Sequence, residues 1–153
     1  MTTLGKSALF GLLAGMMMAM AGMMMTAAIG TGFFALPAMM GDIIFGPEAA
    51  VAGGAGVVLA GLMLHMMLSA MFGVVFALIV QRWPKDAIGT GAIFGIALWY
   101  MNFHLLARFS PAAAAMAAMT PAWIAIATHL IFGVAIGALE RTAIARAGGP
   151  VRA

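Results

Sequence analysis

Four long stretches of this sequence carry no charged side chain, and they constrain the fold more than any other feature. They run from about Ser7 to Gly30, Ala49 to Gln81, Ala87 to Leu106 and Pro121 to Leu139. A helix needs about 20 apolar residues to cross the hydrocarbon core of a bilayer, so each stretch is long enough to cross once. Proline and glycine residues, which end helices, lie between the stretches. We therefore predict an all-α fold, a four-helix transmembrane bundle.

The composition agrees with this prediction. The chain is 65% hydrophobic and 7% charged, whereas a soluble domain carries roughly 25% charged residues. Too few charges are present to cover a surface that faces water, so we expect residues 1–153 to form a single transmembrane domain surrounded by lipid. The first apolar stretch exceeds the 7–15 residue core of a signal peptide, and we expect it to be a retained helix.

The basic residues predict the orientation of the spans. With four spans, the N-terminus, the second loop and the C-terminus lie on one side. That side holds six of the seven basic residues, and basic loops face the cytoplasm, so both termini are predicted to be cytoplasmic. The basic residues stand singly and form no stripe, which argues against nucleic-acid binding. The six are Lys6, Arg82, Lys85, Arg141, Arg146 and Arg152; the seventh, Arg108, lies on the other side.

The second and fourth spans share a pattern in which a histidine is followed by small residues at four-residue steps. Residues four apart lie on one face of a helix, and small residues on that face let helices approach closely in lipid. The 64-residue spacing suggests two duplicated helical hairpins; coincidence in a Gly- and Ala-rich chain is the alternative. The steps are His65, Ser69, Gly73 and Ala77 in one span, and His129, Gly133, Gly137 and Arg141 in the other.

The stretches that begin at His65 and at His129 resemble a group of small, uncharacterised bacterial multi-pass membrane proteins. These proteins have four spans and the same His-then-Gly pattern in the even-numbered ones. The resemblance covers most of the chain and implies a four-span fold in the bacterial inner (cytoplasmic) membrane. It implies no activity. Ser69 stands where the pattern would have glycine.

His65 and His129 are the candidate cofactor-binding residues, because a polar side chain within hydrocarbon usually faces the bundle interior and has a partner. Three interpretations are open. Each imidazole could form a hydrogen bond that only supports packing; the two could ligate a metal or haem; or they could relay protons. No acidic residue is expected inside the spans, which disfavours the relay. His104 is expected at the outer interface.

The 17 methionines are the second candidate feature. Thioethers suit Cu(I), and Met16 and Met20 stand one helical turn apart, so they join His65 and His129 as candidate metal ligands. This step resembles the Met-x-x-x-Met motif of eukaryotic copper importers. The alternative is that methionine fills irregular gaps in packing. The consecutive residues 16, 17 and 18 favour that alternative, since they point to three different faces.

The sequence contains no G-x-x-x-x-G-K-[ST], H-E-x-x-H or G-x-S-x-G motif and no closely spaced pair of carboxylates, so the chain is not expected to be an enzyme. The predicted function is a non-catalytic membrane subunit or scaffold that packs with other membrane subunits, or with copies of itself, in a larger inner-membrane complex. The alternative is a copper- or haem-binding membrane protein. The apolar segment Phe33–Phe45 is expected on the membrane surface or against a partner, with Asp42 and Glu48 solvated. Pro111–Met119 is expected to form a short helix.

Overall fold

A computed structural model describes residues 3–83 and 86–146. Every regular element within them is helical, which confirms the predicted fold class. A π-helical turn over Met101–Leu105 and a 3₁₀ turn over Leu106–Arg108 continue the helix that ends at Tyr100. The helices are α1 (Thr3–Ala28), α2 (Ala35–Phe45), α3 (Ala49–Ala52), α4 (Ala55–Arg82), α5 (Ala87–Tyr100), α6 (Pro111–Met119) and α7 (Ala122–Arg146).

Four helices within the described ranges are long and apolar enough to cross a membrane: α1, α4, α5 with its continuation to Arg108, and α7. At 1.5 Å per residue the 28 residues of α4 extend about 42 Å, which exceeds the roughly 30 Å of a hydrocarbon core. Part of α4 therefore reaches beyond the hydrocarbon or tilts within it. The short helices α2, α3 and α6 lie in the connections within each pair of spans.

The first hairpin consists of α1 and α4, which touch backbone to backbone through small residues. A Cβ added to Gly11 would meet the backbone of Ser69 and Gly73, and one added to Gly73 would meet Ser7 and Gly11. A Cβ on Gly15 would collide with the Ser69 side chain. Any larger residue would separate the helices, so these glycines set the distance between them.

The second hairpin, α5 and α7, uses the same device at comparable positions. A Cβ added to Gly91 would meet Gly133 and Gly137, and one added to Gly95 would meet the backbone of His129 and Gly133. Gly91 and Gly95 thus face α7 as Gly11 and Gly15 face α4. The rows of small residues in the sequence therefore form the contacts between the paired helices inside the two hairpins.

The two hairpins join mainly through α1 and α7. Methyl groups of Thr128 and Leu36 approach Gly22 near one end of this contact. Near the other end, the Ser7 hydroxyl donates a hydrogen bond to the carboxylate of Glu140. The core of the bundle includes the buried residues Phe76, Val80, Phe132 and Ile136.

The antiparallel arrangement brings Lys6, Arg82, Arg141 and Arg146 to one end of the bundle, which we call the basic end. Arg108 lies at the opposite end, where α5 leads into α6. Lys85 and Arg152, which the prediction also assigns to the basic side, lie outside the described residues.

Two predicted span boundaries differ from the observed helices. The second span is predicted to start near Ala49, but Gly53 and Gly54 adopt φ values of 75° and 119°, which break the helix and separate α3 from α4. The fourth span is predicted to end at Leu139, but α7 continues to Arg146. Charged residues end a hydrocarbon-spanning stretch without ending a helix, and the two residues that follow Leu139 therefore lie within α7.

The connection after α1 is folded rather than a loop. Asp42, which is expected to be solvated, is instead buried at 6% exposure. Its carboxylate accepts a hydrogen bond from the Ala50 N–H at 2.6 Å, which ties α2 to the start of α3. Glu48 is exposed as expected. In the second hairpin, Pro111–Met119 forms α6, the helix predicted there.

Candidate functional site

A cavity of about 170 Å³ lies between the two hairpins, in the half of the bundle away from the basic end. It is partly open and its walls are largely apolar. Both candidate histidines, His65 from α4 and His129 from α7, line it. The side chains of the two are near enough to interact electrostatically. The helices α2 and α6, which contact each other, also contribute residues to the wall, among them Met40 and Met116.

His129 is held by three neighbours. Its Nδ1 lies 2.8 Å from the carbonyl oxygen of Ala125, and since a carbonyl can only accept, Nδ1 carries the proton. Nε2 is then the acceptor of the neutral ring, and the Asn102 amide donates to it over 3.3 Å. The Phe103 ring meets the imidazole edge to face at a centroid distance of 5.7 Å. His129 is therefore positioned as a neutral imidazole.

Both residues of the third span that contact the His129 ring lie in the π-helical turn Met101–Leu105. Asn102 donates to the ring and Phe103 packs against it. Such turns occur frequently at functional sites.

His65 is positioned from the other hairpin. Its Nε2 lies 2.9 Å from the carbonyl oxygen of Gly15, so Nε2 donates and Nδ1 keeps a free lone pair. Within the described residues no hydrogen bond reaches Nδ1. The Ser69 hydroxyl donates to the carbonyl of His65 itself at 2.8 Å. His65 therefore offers the cavity wall one unused acceptor.

Thr120, between α6 and α7, is the third notable polar residue of the wall. It is 6% exposed, and its Oγ1 has no hydrogen-bond partner among the residues of ranges 3–83 and 86–146. A buried polar group without a partner costs about 1–3 kcal/mol. This hydroxyl is enclosed by protein atoms and does not open into the cavity, so Thr120 lines the wall through its other atoms.

The predicted metal ligands are not all brought together. Met16 and Met20 are 52% and 47% exposed on the surface of α1 and do not line the cavity, whereas Met18, between them, does. In the described part of the chain no cluster of three or more His, Cys, Asp or Glu could hold a metal. A metal at this site would rest on the two histidines and on the thioethers of Met18, Met40 and Met116.

Two other groups lie apart from the cavity. His104 is exposed, as expected, and packs against Trp99 and Tyr100 at centroid distances of 5.0 and 5.1 Å. Glu140 is buried at 7% exposure, and its Oε1 lacks a partner within the described residues. The sequence does not predict an acid inside a spanning helix, because the predicted fourth span ends one residue before Glu140.

Sequence reasoning misses Asn102 and Thr120. Asn102 is the one asparagine of the chain and lies inside a predicted span, where an amide needs a partner. That signal is present in the sequence. Thr120 gives no such signal in the sequence, since a threonine before Pro121 is ordinary turn composition.

A comparison with protein-family models, with curated proteins and with solved structures finds no match for this chain. The resemblance to small bacterial four-span proteins therefore stays a prediction.

Proposed function

We propose that this chain is a non-catalytic membrane protein that holds a small ligand in the cavity between its two hairpins. The observation that carries the proposal is Nδ1 of His65, an acceptor without a partner among the described residues, on a side chain that lines the cavity together with His129. Both imidazoles are neutral donors to carbonyls, an arrangement that suits binding. The cavity combines mostly apolar walls with a few polar groups, which is typical of ligand sites.

Its size restricts the ligand. Sites for drug-sized ligands measure roughly 300–1,000 Å³, and a cavity of 170 Å³ is too small for a porphyrin. Of the two predicted cofactors, haem is therefore disfavoured. Copper remains a candidate ligand, because the two histidines and the cavity-lining Met18, Met40 and Met116 could coordinate it.

The test is to purify the full chain in mild detergent and to identify what is bound by native mass spectrometry and elemental analysis. We expect a stoichiometric small ligand that is reduced in the variant Ala125→Phe, which fills the cavity, and retained in Val134→Phe on an exposed face of α7. A copper content that falls in Met18→Leu but not in Met16→Leu would assign the metal. Purified protein without any bound organic molecule or metal would contradict the proposal.

A second proposed function is that of a subunit or scaffold in a larger membrane assembly, and the apolar surface around α2 supports it. Phe34, Ile43, Ile44 and Phe45 are 46–59% exposed at the end of the bundle opposite the basic end. The rows of small residues do not support this proposal, because they are used within the hairpins.

Extraction under mild conditions tests the subunit role. We expect a complex larger than one chain, either with other membrane proteins or as a homo-oligomer. Substitution of Ile44 and Phe45 by serine should release the chain from that complex, whereas the same change at Ile93, exposed on α5, should not. A monodisperse monomer from mild extraction would contradict the role.

We further propose that the basic end faces the cytoplasm of a bacterial inner membrane and that the two hairpins arose by duplication. The placement of Lys6, Arg82, Arg141 and Arg146 supports the orientation. The comparable glycine positions, Gly11 with Gly73 and Gly91 with Gly137, support the duplication.

A further inference from the structure

The volume of the cavity selects the size of its ligand. An apolar cavity of roughly 150 Å³ in another protein accommodates benzene, so 170 Å³ suits one substituted ring. A bare ion would leave most of this space empty. Phe72, Phe103 and Phe132 contribute aromatic surface to the wall, against which a ring packs favourably.

The free acceptor on His65 determines that one substituent of the ligand's ring must be a hydrogen-bond donor. Because Nε2 donates to the Gly15 carbonyl, Nδ1 can only accept. A ligand that satisfies it must donate, as a ring hydroxyl does. Burying Nδ1 against a ligand without a donor would leave it unpaired, which is unfavourable.

The second hairpin supplies a polar group for another substituent. The Asn102 carbonyl oxygen is not used in the contact with His129, and an amide oxygen can only accept. A second hydroxyl on the ring could therefore donate to Asn102 while the first donates to His65. The two hairpins would then hold one molecule from different sides.

The depth of the two histidines in the bundle determines how a ligand can reach the cavity. His65 is ten residues into α4 and His129 seven residues into α7, or about 15 and 10 Å along the helices. A ligand at this depth must be neutral and soluble in lipid. The cavity is partly open, so a chain attached to the ring has a way out.

We propose that the cavity binds the ring of a neutral, lipid-soluble phenol or quinol, with one ring hydroxyl donating to Nδ1 of His65 and the second hydroxyl of a quinol donating to the carbonyl oxygen of Asn102. This proposal rests on the proposed ligand-binding function and names its ligand class. The molecule is either a free single-ring phenol or the head group of a quinol that carries a lipid tail.

The test measures binding of three matched probes to the full chain in detergent, under anaerobic conditions, by calorimetry. Trimethylhydroquinone should bind at least about tenfold more tightly, equivalent to about 1.4 kcal/mol, than trimethylbenzene, which lacks both oxygens, and than trimethylbenzoquinone, which cannot donate. His65→Phe should abolish this discrimination, and Asn102→Leu should reduce it. His104→Phe, which changes an exposed histidine, should leave it intact. A decyl tail that tightens binding beyond its partition into empty micelles identifies a quinol head group, and no such gain identifies a free phenol.

The outcomes separate this proposal from the function on which it rests. Equal binding of all three probes would overturn the hydroxyl assignment while leaving a ligand-binding cavity. Failure of all three, with copper or another ligand found in the purified protein, would overturn the phenol class alone. Failure of all three with nothing bound to the purified protein would overturn both. If His65→Phe does not fold, Asn102→Leu and the probe series in the unmodified chain still decide the question.

Discussion

The close approach between α5 and α7 allows a quantitative prediction. A Cβ added to Gly133 would lie 2.9 Å from the backbone carbonyl carbon of Gly91 and from the backbone nitrogen of Gly95. Ordinary contact begins at 3.4 Å, so Gly133→Ala forces the two backbones apart by at least about half an ångström. Backbone atoms of a packed helix cannot move aside as a flexible side chain can, and the whole interface loses contact.

Overpacking of this kind costs about 1–3 kcal/mol. Gly56 is a control, because a Cβ added there meets nothing within 4 Å and Gly56→Ala also lies in a spanning helix. The difference in stability between Gly133→Ala and Gly56→Ala isolates the steric cost of the added methyl group. Alanine gains up to about 1 kcal/mol of helix propensity over glycine, and this gain is larger at the interior position 133 than in the first turn of α4. The difference in helix propensity therefore makes the measured loss of stability in Gly133→Ala smaller than its steric cost.

Thermal unfolding in detergent, followed by the near-ultraviolet circular dichroism of the tryptophans, measures the effect. For a chain of this size 1 kcal/mol corresponds to roughly 2–4 °C in Tm, so Gly133→Ala should melt about 2–12 °C below Gly56→Ala. Equal Tm values for the two variants would refute the argument that the glycine contact sets the distance between these helices.

Three further predictions address the site, the α2 region and the orientation. Asn102→Ala should lower Tm by roughly 1–6 °C, since a hydrogen bond contributes about 0.5–1.5 kcal/mol, while Ile93→Ala, at an exposed position of the same span, should not; no difference would argue against the contact with His129. Asp42→Ala should speed proteolysis within residues 46–54 relative to Glu48→Ala, because the 2.6 Å bond to Ala50 N–H is lost; equal rates would contradict an anchoring role. The chain has no cysteine, so an impermeant maleimide should label Phe109→Cys in intact cells and Thr142→Cys only after permeabilisation; the reverse pattern would invert the predicted topology.

The spans and their pairing could be predicted because they depend on local features. An uncharged stretch of about 20 residues has few alternatives to a membrane helix. Small residues four apart share a face of a helix, so the rows around Gly73 and Gly133 indicate close helix contacts from the amino-acid pattern alone. The partners, Gly11 and Gly91, follow from the topology of a hairpin.

The polar lining of the cavity could not be predicted as a whole, because it depends on contacts between distant segments. The amide of Asn102 reaches His129 from a π-helical turn, which no simple period indicates. Thr120 becomes a wall residue because α6 folds back over the bundle. Asp42 is buried and accepts a bond from Ala50, which α3 holds close to its carboxylate. Each case requires a backbone path that composition does not specify.

The position of the cavity follows from where the glycine contacts stop. Gly11 with Gly73, and Gly91 with Gly137, draw each hairpin together toward the basic end. The next residues at four-residue steps are His65 and His129, and both are still in contact with the partner helix. The backbone of His129 lies against Gly95, and His65 bonds to the Gly15 carbonyl. The helices α2 and α6 supply further walls of the cavity. The histidines thus stand at the end of the glycine rows, so the rows that pack each hairpin also place the hydrogen-bonding groups of the cavity. An insertion that shifted either histidine by one turn would therefore move the floor of the cavity and its polar groups together.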